Sequence, residues 1–94
     1  MQNIVVVYDI SDNKTRHIVG EILEGFGTRV NRSVFECQIK NLKQRNNLEL
    51  AILNEIDIGV DSVRIYSVCS NCIKSSNVLG DEPKPFERDA IYWF

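Results

Sequence analysis

Histidine, methionine and tryptophan occur once each in these 94 residues, proline twice and cysteine three times. Any Ser–His or Cys–His catalytic arrangement would have to use His17, which sits among polar neighbours on a helical stretch and reads as a solvated surface side chain. No apolar run approaches the roughly 20 residues that span a bilayer. Met1 leads directly into a strand-like run, with no signal peptide visible. These features suggest a cytoplasmic protein without a membrane partner, its cysteines reduced. No glycine-rich phosphate loop is present, so nucleoside-triphosphate chemistry has no support. Repeats and low-complexity tracts are also missing.

What is there is ordinary globular material, 44% hydrophobic and 26% charged, enough for one small domain whose stability alone would be marginal. The net charge of −2 argues against a generally basic nucleic-acid binder, but the charges are unevenly spread. Residues 13–45 hold Lys14, Arg16, Arg29, Arg32, Lys40, Lys43 and Arg45 against Glu21, Glu24 and Glu36, a balance of +4. One surface can therefore attract phosphates while the whole stays acidic; solvated helix and strand faces would produce the same pattern.

Ile4 to Tyr8 is a continuous β-branched and aromatic run, the pattern of a central strand covered on both faces. Asp12 is a good N-cap. Ile18, Val19, Ile22, Leu23 and Phe26 follow at helical spacing, and Gly25 and Gly27 supply a stop through the left-handed conformation glycine tolerates. The first helix is expected over about residues 12–26. Thr28 to Val30 and Val34 to Ile39 read as a hairpin, with Phe35, Cys37 and Ile39 on one face. Asn41 with Gln44 resembles a capping box, opening a second helix over about residues 42–56. Ser62 to Val68 alternates as a fourth strand.

The order is β-α-β-β-α-β. It predicts an α+β, ferredoxin-like sandwich over residues 1–80, with both helices on one face of a four-stranded antiparallel sheet. The other face would be wet or buried against a partner. Ile73 to Leu79 is expected to add a short C-terminal strand. Residues 81–94 form a tail whose Tyr92-Trp93-Phe94 end either packs on its own core or docks on another chain by strand addition.

Taken together, Val5-Val6-Val7-Tyr8-Asp9-Ile10-Ser11-Asp12, Gly27-Thr28-Arg29-Val30-Asn31-Arg32-Ser33-Val34-Phe35-Glu36, Asp61-Ser62-Val63-Arg64-Ile65-Tyr66 and Val78-Leu79-Gly80 resemble the CRISPR-associated protein two family over about residues 3–80. The resemblance implies a homodimer whose two sheets pack face to face, with the segment after the fourth strand crossing to the partner's sheet. It further implies a place between two dimers of the CRISPR-associated integrase, protein one, holding the duplex DNA fragment to be inserted as a spacer. Many members are also described as magnesium-dependent endonucleases acting on single-stranded RNA or duplex DNA, a role that integration does not require.

Asp9 is the strongest candidate for chemistry, both catalytic and metal-binding. It stands where a central strand ends, and magnesium (or manganese) takes one or two carboxylates plus waters and phosphate oxygens. One aspartate per chain is a weak site; a two-fold axis beside it would supply the second. The alternative is an aspartate that merely caps the turn to the first helix. Tyr8 and Ser11 flank Asp9 and are placed to orient a phosphate or a metal-bound water, while Asp12 is expected to cap rather than ligate. Arg16, Arg29 and Arg32 are the phosphate-binding candidates, since guanidinium groups grip phosphate oxygens without reading bases. By the resemblance Arg16 matches a basic position of the family's first helix, Arg29 one of its second strand, and Ser33 and Phe35 its hairpin. Phe35 is expected beneath the helices rather than stacked on a base. Cys69-Ser70-Asn71-Cys72 lacks the ligands for zinc and the βαβ setting of a thioredoxin-type motif, so its cysteines are expected as small buried or interface side chains.

Three functions remain open on this reading. One is a non-catalytic scaffold for duplex DNA, another a magnesium-dependent endonuclease. The third is a different use of the fold, as a ligand sensor or a toxin-type ribonuclease.

Overall fold

A computed structural model describes residues 2–86, so the expectation for Tyr92-Trp93-Phe94 lies outside the described residues. The elements are β1 (Gln2–Asp9), α1 (Asn13–Glu24), β2 (Gly27–Asn31), β3 (Val34–Ile39), α2 (Leu42–Leu53), β4 (Ser62–Val68) and α3 (Ser70–Ser75). The strands form one sheet in the order β2-β3-β1-β4, every neighbouring pair antiparallel. This is the expected ferredoxin-like arrangement, with β1 inside the sheet.

Alternation along β1 divides the molecule. Ile4, Val6 and Tyr8 are buried. Across the ladder, Cys37 and Phe35 pair with Ile4 and Val6 on one side, and Ile65 and Val63 pair with Val6 and Tyr8 on the other. Directly opposed residues share a face, so this side of the sheet is the core. Val19 and Leu23 of α1 and Leu48 and Ile52 of α2 close over it. The odd-numbered residues Asn3, Val5, Val7 and Asp9 lie on the other face, beside Glu36, Val34, Arg64 and Tyr66. No helix among the described residues covers that face.

The helix caps explain the boundaries. The Asp12 carboxylate accepts from the Thr15 amide at 2.8 Å and the Thr15 hydroxyl at 3.0 Å. Asn41 Oδ1 accepts from the Gln44 amide at 2.8 Å, and Gln44 Oε1 reaches back to the Lys40 amide at 2.6 Å, a capping box displaced by one residue. Gly25 does not end α1 in the expected way: its φ of −71° is right-handed. The helix instead tightens, with the Gly25 and Phe26 amides donating to Ile22 and Leu23 three residues back. Gly27 is needed for close approach, because a Cβ there would lie 2.6 Å from Cys37 Cα and collide with the Glu36 carbonyl.

The expected C-terminal strand at Ile73–Leu79 is not formed. Ser70–Ser75 is a short helix, opened by the Ile73 amide donating to the Cys69 carbonyl at 3.0 Å, and residues 76–80 are irregular. A strand needs an edge to satisfy its backbone, whereas a helical turn satisfies its own. Further on, the chain returns to the open face, where the Phe86 amide donates to Glu36 Oε1 at 2.8 Å and the Phe86 side chain is buried. No helix among the described residues is long and apolar enough to cross a membrane.

Phe35 is fully buried at the centre of the core, and Phe35→Ala is expected to cost about 3–5 kcal/mol in urea unfolding. The pair of hydrogen bonds from Thr15, the backbone one foremost, holds the Asp12 carboxyl below its usual range. A depressed folded-state pKa means that this cap stabilises the fold above about pH 4 and is lost as pH falls further. Thermal melts from pH 7 to 2 should show a shallower acid limb for Asp12→Asn than for the parent chain.

Candidate functional site

The hairpin between β2 and β3 and the start of α1 meet at one end of the sheet. The ladder slips between Arg29 and Asn31, a bulge that bends the strand and re-aims its side chains. Arg29 lies opposite Phe35, and its guanidinium sits over the Phe35 ring, 4.8 Å from the centroid. It donates to the Arg32 carbonyl at 2.6 Å and the Tyr8 hydroxyl at 3.2 Å, and comes within 3.9 Å of Glu24. The Tyr8 hydroxyl in turn donates to the Arg32 carbonyl at 3.4 Å. Gly20 makes room for this crossing, because a Cβ there would stand 2.6 Å from Arg29 Nη2.

Arg16, on the first turn of α1, is held from the other side. Its Nη1 donates to the Ile10 carbonyl at 3.1 Å and its Nη2 to Asn13 Oδ1. The result is an open cleft of about 630 Å³ lined by Tyr8, Asn13, Arg16, His17, Arg29, Arg32 and Ser33. Thus Arg16, Arg29, Arg32, Tyr8 and Ser33, far apart in sequence, share one concave surface. Asn13 and His17 were not among the sequence candidates. Asn13 lies three residues before Arg16, a spacing that puts the two on one side of the helix; His17, next to Arg16, carries no such signal. His17 keeps a surface contact, Nε2 to Glu21 at 3.2 Å. Phe35 lies beneath this cleft, buried, as its pattern implied.

Asp9 stands elsewhere. It is exposed at the end of β1, opposite Ser62 and on the open face, whereas Tyr8 points to the helix-covered face. The two are adjacent in sequence and separated by the sheet, so Tyr8 does not orient a ligand at Asp9 within one chain. Ser11 is exposed beyond the strand end, and Asp12 is occupied as a cap. Among the described residues no group of three or more His, Cys, Asp and Glu is placed to hold a metal ion. One exposed carboxylate suits a hard divalent cation only in part; waters, phosphate oxygens or a second copy would have to supply the remaining oxygen ligands. Cys69 and Cys72 are not the buried side chains that were one of the two expectations, since both are exposed in the single chain, whereas Cys37 is buried.

The family model described as CRISPR associated protein Cas2 matches residues 1–76. The chain belongs to the Cas2 family. A Chloroflexus aurantiacus relative named CRISPR-associated endoribonuclease Cas2 1 is 34% identical, over 94% of this chain and 95% of its own length. A CRISPR-associated endonuclease Cas2 2 of Thermus thermophilus is 34% identical, over 89% and 88%. Among solved structures, Streptococcus pyogenes Cas2 superposes with a TM-score of 0.74 at 26% identity, covering 83% of this chain and 99% of that one. A chain of a partial Cas6-RT-Cas1–Cas2 complex gives 0.72 at 28% identity, covering 84% and 91%. The ferredoxin-like fold of this Cas2 family member therefore agrees with its structural neighbours.

Arg29 and Arg32 differ in what they hold. Arg29→Ala removes the contacts to Tyr8, the Arg32 carbonyl and the Phe35 ring, and should destabilise the fold by about 1–2 kcal/mol. Arg32→Ala, whose side chain is exposed, should leave the melting temperature unchanged. Differential scanning fluorimetry on the two variants separates them.

Proposed function

We propose that two copies of this chain bury their open sheet faces together, and that the dimer binds nucleic acid through the Arg16–Arg29–Arg32 cleft as the small subunit of CRISPR spacer acquisition beside the integrase Cas1. The observation that carries this reading is the convergence of three guanidinium groups, from α1, β2 and the turn after it, on one cleft. Guanidinium, hydroxyl and amide donors in an open cleft suit phosphate oxygens, which position a duplex without reading its sequence. The half-exposed Val5, Val7, Val34 and Val68 on the open face favour a covering partner. A neighbour found within a Cas1–Cas2 complex supports the integrase as partner. The three arginines contribute differently. Arg29 braces the turn through Tyr8 and the Arg32 carbonyl, Arg16 is fixed by Asn13, and Arg32 is left exposed to meet a phosphate.

Relatives named endoribonucleases and endonucleases support phosphodiester hydrolysis by this chain too, on single-stranded RNA or duplex DNA. Asp9 from each copy would hold Mg2+ or Mn2+. Such an ion polarises a phosphate and lowers the pKa of a bound water. The carboxylates would fix its position, and the cleft arginines would hold the strand. One feature favours the alternative of a non-catalytic scaffold: Asp9 and the cleft-lining Tyr8 lie on opposite faces of the sheet, so binding does not by itself present a phosphate to Asp9.

Light scattering should give twice the chain mass. Anisotropy with labelled duplex DNA and single-stranded RNA should show affinity falling steeply with salt, and Arg32→Ala should reduce the slope of log K against log salt by about 1. Unchanged binding in an Arg16→Ala/Arg32→Ala double variant would falsify the cleft assignment. Loss of magnesium-dependent cleavage in Asp9→Ala, with binding retained, supports hydrolysis at Asp9. Equal cleavage by that variant points to a contaminating nuclease and leaves the scaffold.

A further inference from the structure

Cys69 and Cys72 take no part in the arginine cleft or the core. Cys69 directly follows β4, and Cys72 lies in the first turn of α3. Their sulfurs are 3.2 Å apart, and the Cys72 amide donates to Cys69 Sγ at 3.4 Å. Both side chains are exposed, while the third cysteine, Cys37, is buried in the core. A disulfide requires sulfurs at about 2.05 Å, roughly 1 Å closer than these two already stand. We propose that Cys69 and Cys72 form a reactive dithiol that exchanges with low-molecular-weight disulfides, Cys69 attacking and Cys72 resolving.

The division of labour follows from the contacts. Cys69 Sγ accepts from the Cys72 amide, and its contacts with Cys72, the side-chain one foremost, lower its pKa. The same sulfur–sulfur contact raises the pKa of Cys72. Negative charge therefore gathers on Cys69, and the thiolate is the nucleophile in exchange. Cys69 sulfur attacks one sulfur of RSSR, forming a protein–S–S–R bond and expelling RS⁻. Cys72 then loses its proton to solvent and attacks Cys69 sulfur, forming the Cys69–Cys72 bond and expelling the second RS⁻. The protein gives up two electrons and two protons, and RSSR becomes two RSH. Closure joins the residue that follows edge strand β4 to the first turn of α3, upstream of the segment that returns to the open face at Glu36.

The test treats the full chain with oxidised glutathione, quenches with acid and maps masses by peptide. The parent chain should lose two hydrogens in the peptide containing residues 69–72 and hold no lasting glutathione. Cys72→Ser should trap one glutathione on Cys69, and Cys69→Ser should acquire it on Cys72 at least about tenfold more slowly. Circular dichroism checks that both variants remain folded, and Cys37 serves as the unreactive internal reference. A lasting adduct without disulfide in the parent chain overturns the proposal. So does equal reactivity of Cys69 and Cys72, or modification of Cys37 at the rate of Cys69.

Discussion

Alternation along β1 governs the rest of this molecule. The strand lies between β3 and β4 and must satisfy both ladders, which leaves its side chains no freedom except the choice of face. Ile4, Val6 and Tyr8 are drawn under α1 and α2 into the buried core, because removing apolar surface from water is the main favourable term in folding. Val5, Val7 and Asp9 are then committed to the helix-free side. A slip of one residue would exchange the two sets and put a carboxylate in the core.

The same constraint builds the basic cleft and keeps it apart from the carboxylate. Tyr8, at the last core position of β1, offers its hydroxyl to the hairpin turn. Arg29 lies across Phe35 in the facing strand pair and ties that hydroxyl to the Arg32 carbonyl. Gly20 opens the surface of α1 for the guanidinium. A basic side chain is thus used as a brace within the fold, and the cost of ordering it is shared with a cation–π contact and two hydrogen bonds. The chain remains acidic overall, yet three of its arginines meet at one end of the sheet.

In the proposed dimer a second copy would cover the half-exposed valines of the open face. The chain's last described residues reach that face as well, where the Phe86 amide donates to Glu36 and the Phe86 side chain is buried. Cys69 and Cys72 sit at the point where the chain leaves β4 for this path. Two exposed sulfurs in contact there belong to a different chemistry from that of the arginines.

Local signals made much of this legible in the sequence. The apolar run of residues 4–8, the stripe Val19–Leu23, the caps at Asp12 and Asn41 and the alternation of Phe35, Cys37 and Ile39 specify β-α-β-β-α-β order and the core, because helix and strand periodicities depend on nearby residues alone. The candidate arginines were legible by type and position. Tertiary structure alone decided that Arg16, Arg29 and Arg32 share a cleft with His17 and Asn13, that Tyr8 and Asp9 are parted by the sheet, and that the strand expected at residues 73–79 gives way to a helix over residues 70–75. Each of these depends on which edges and faces remain available once distant segments have packed, and residue spacing along a chain does not carry that information.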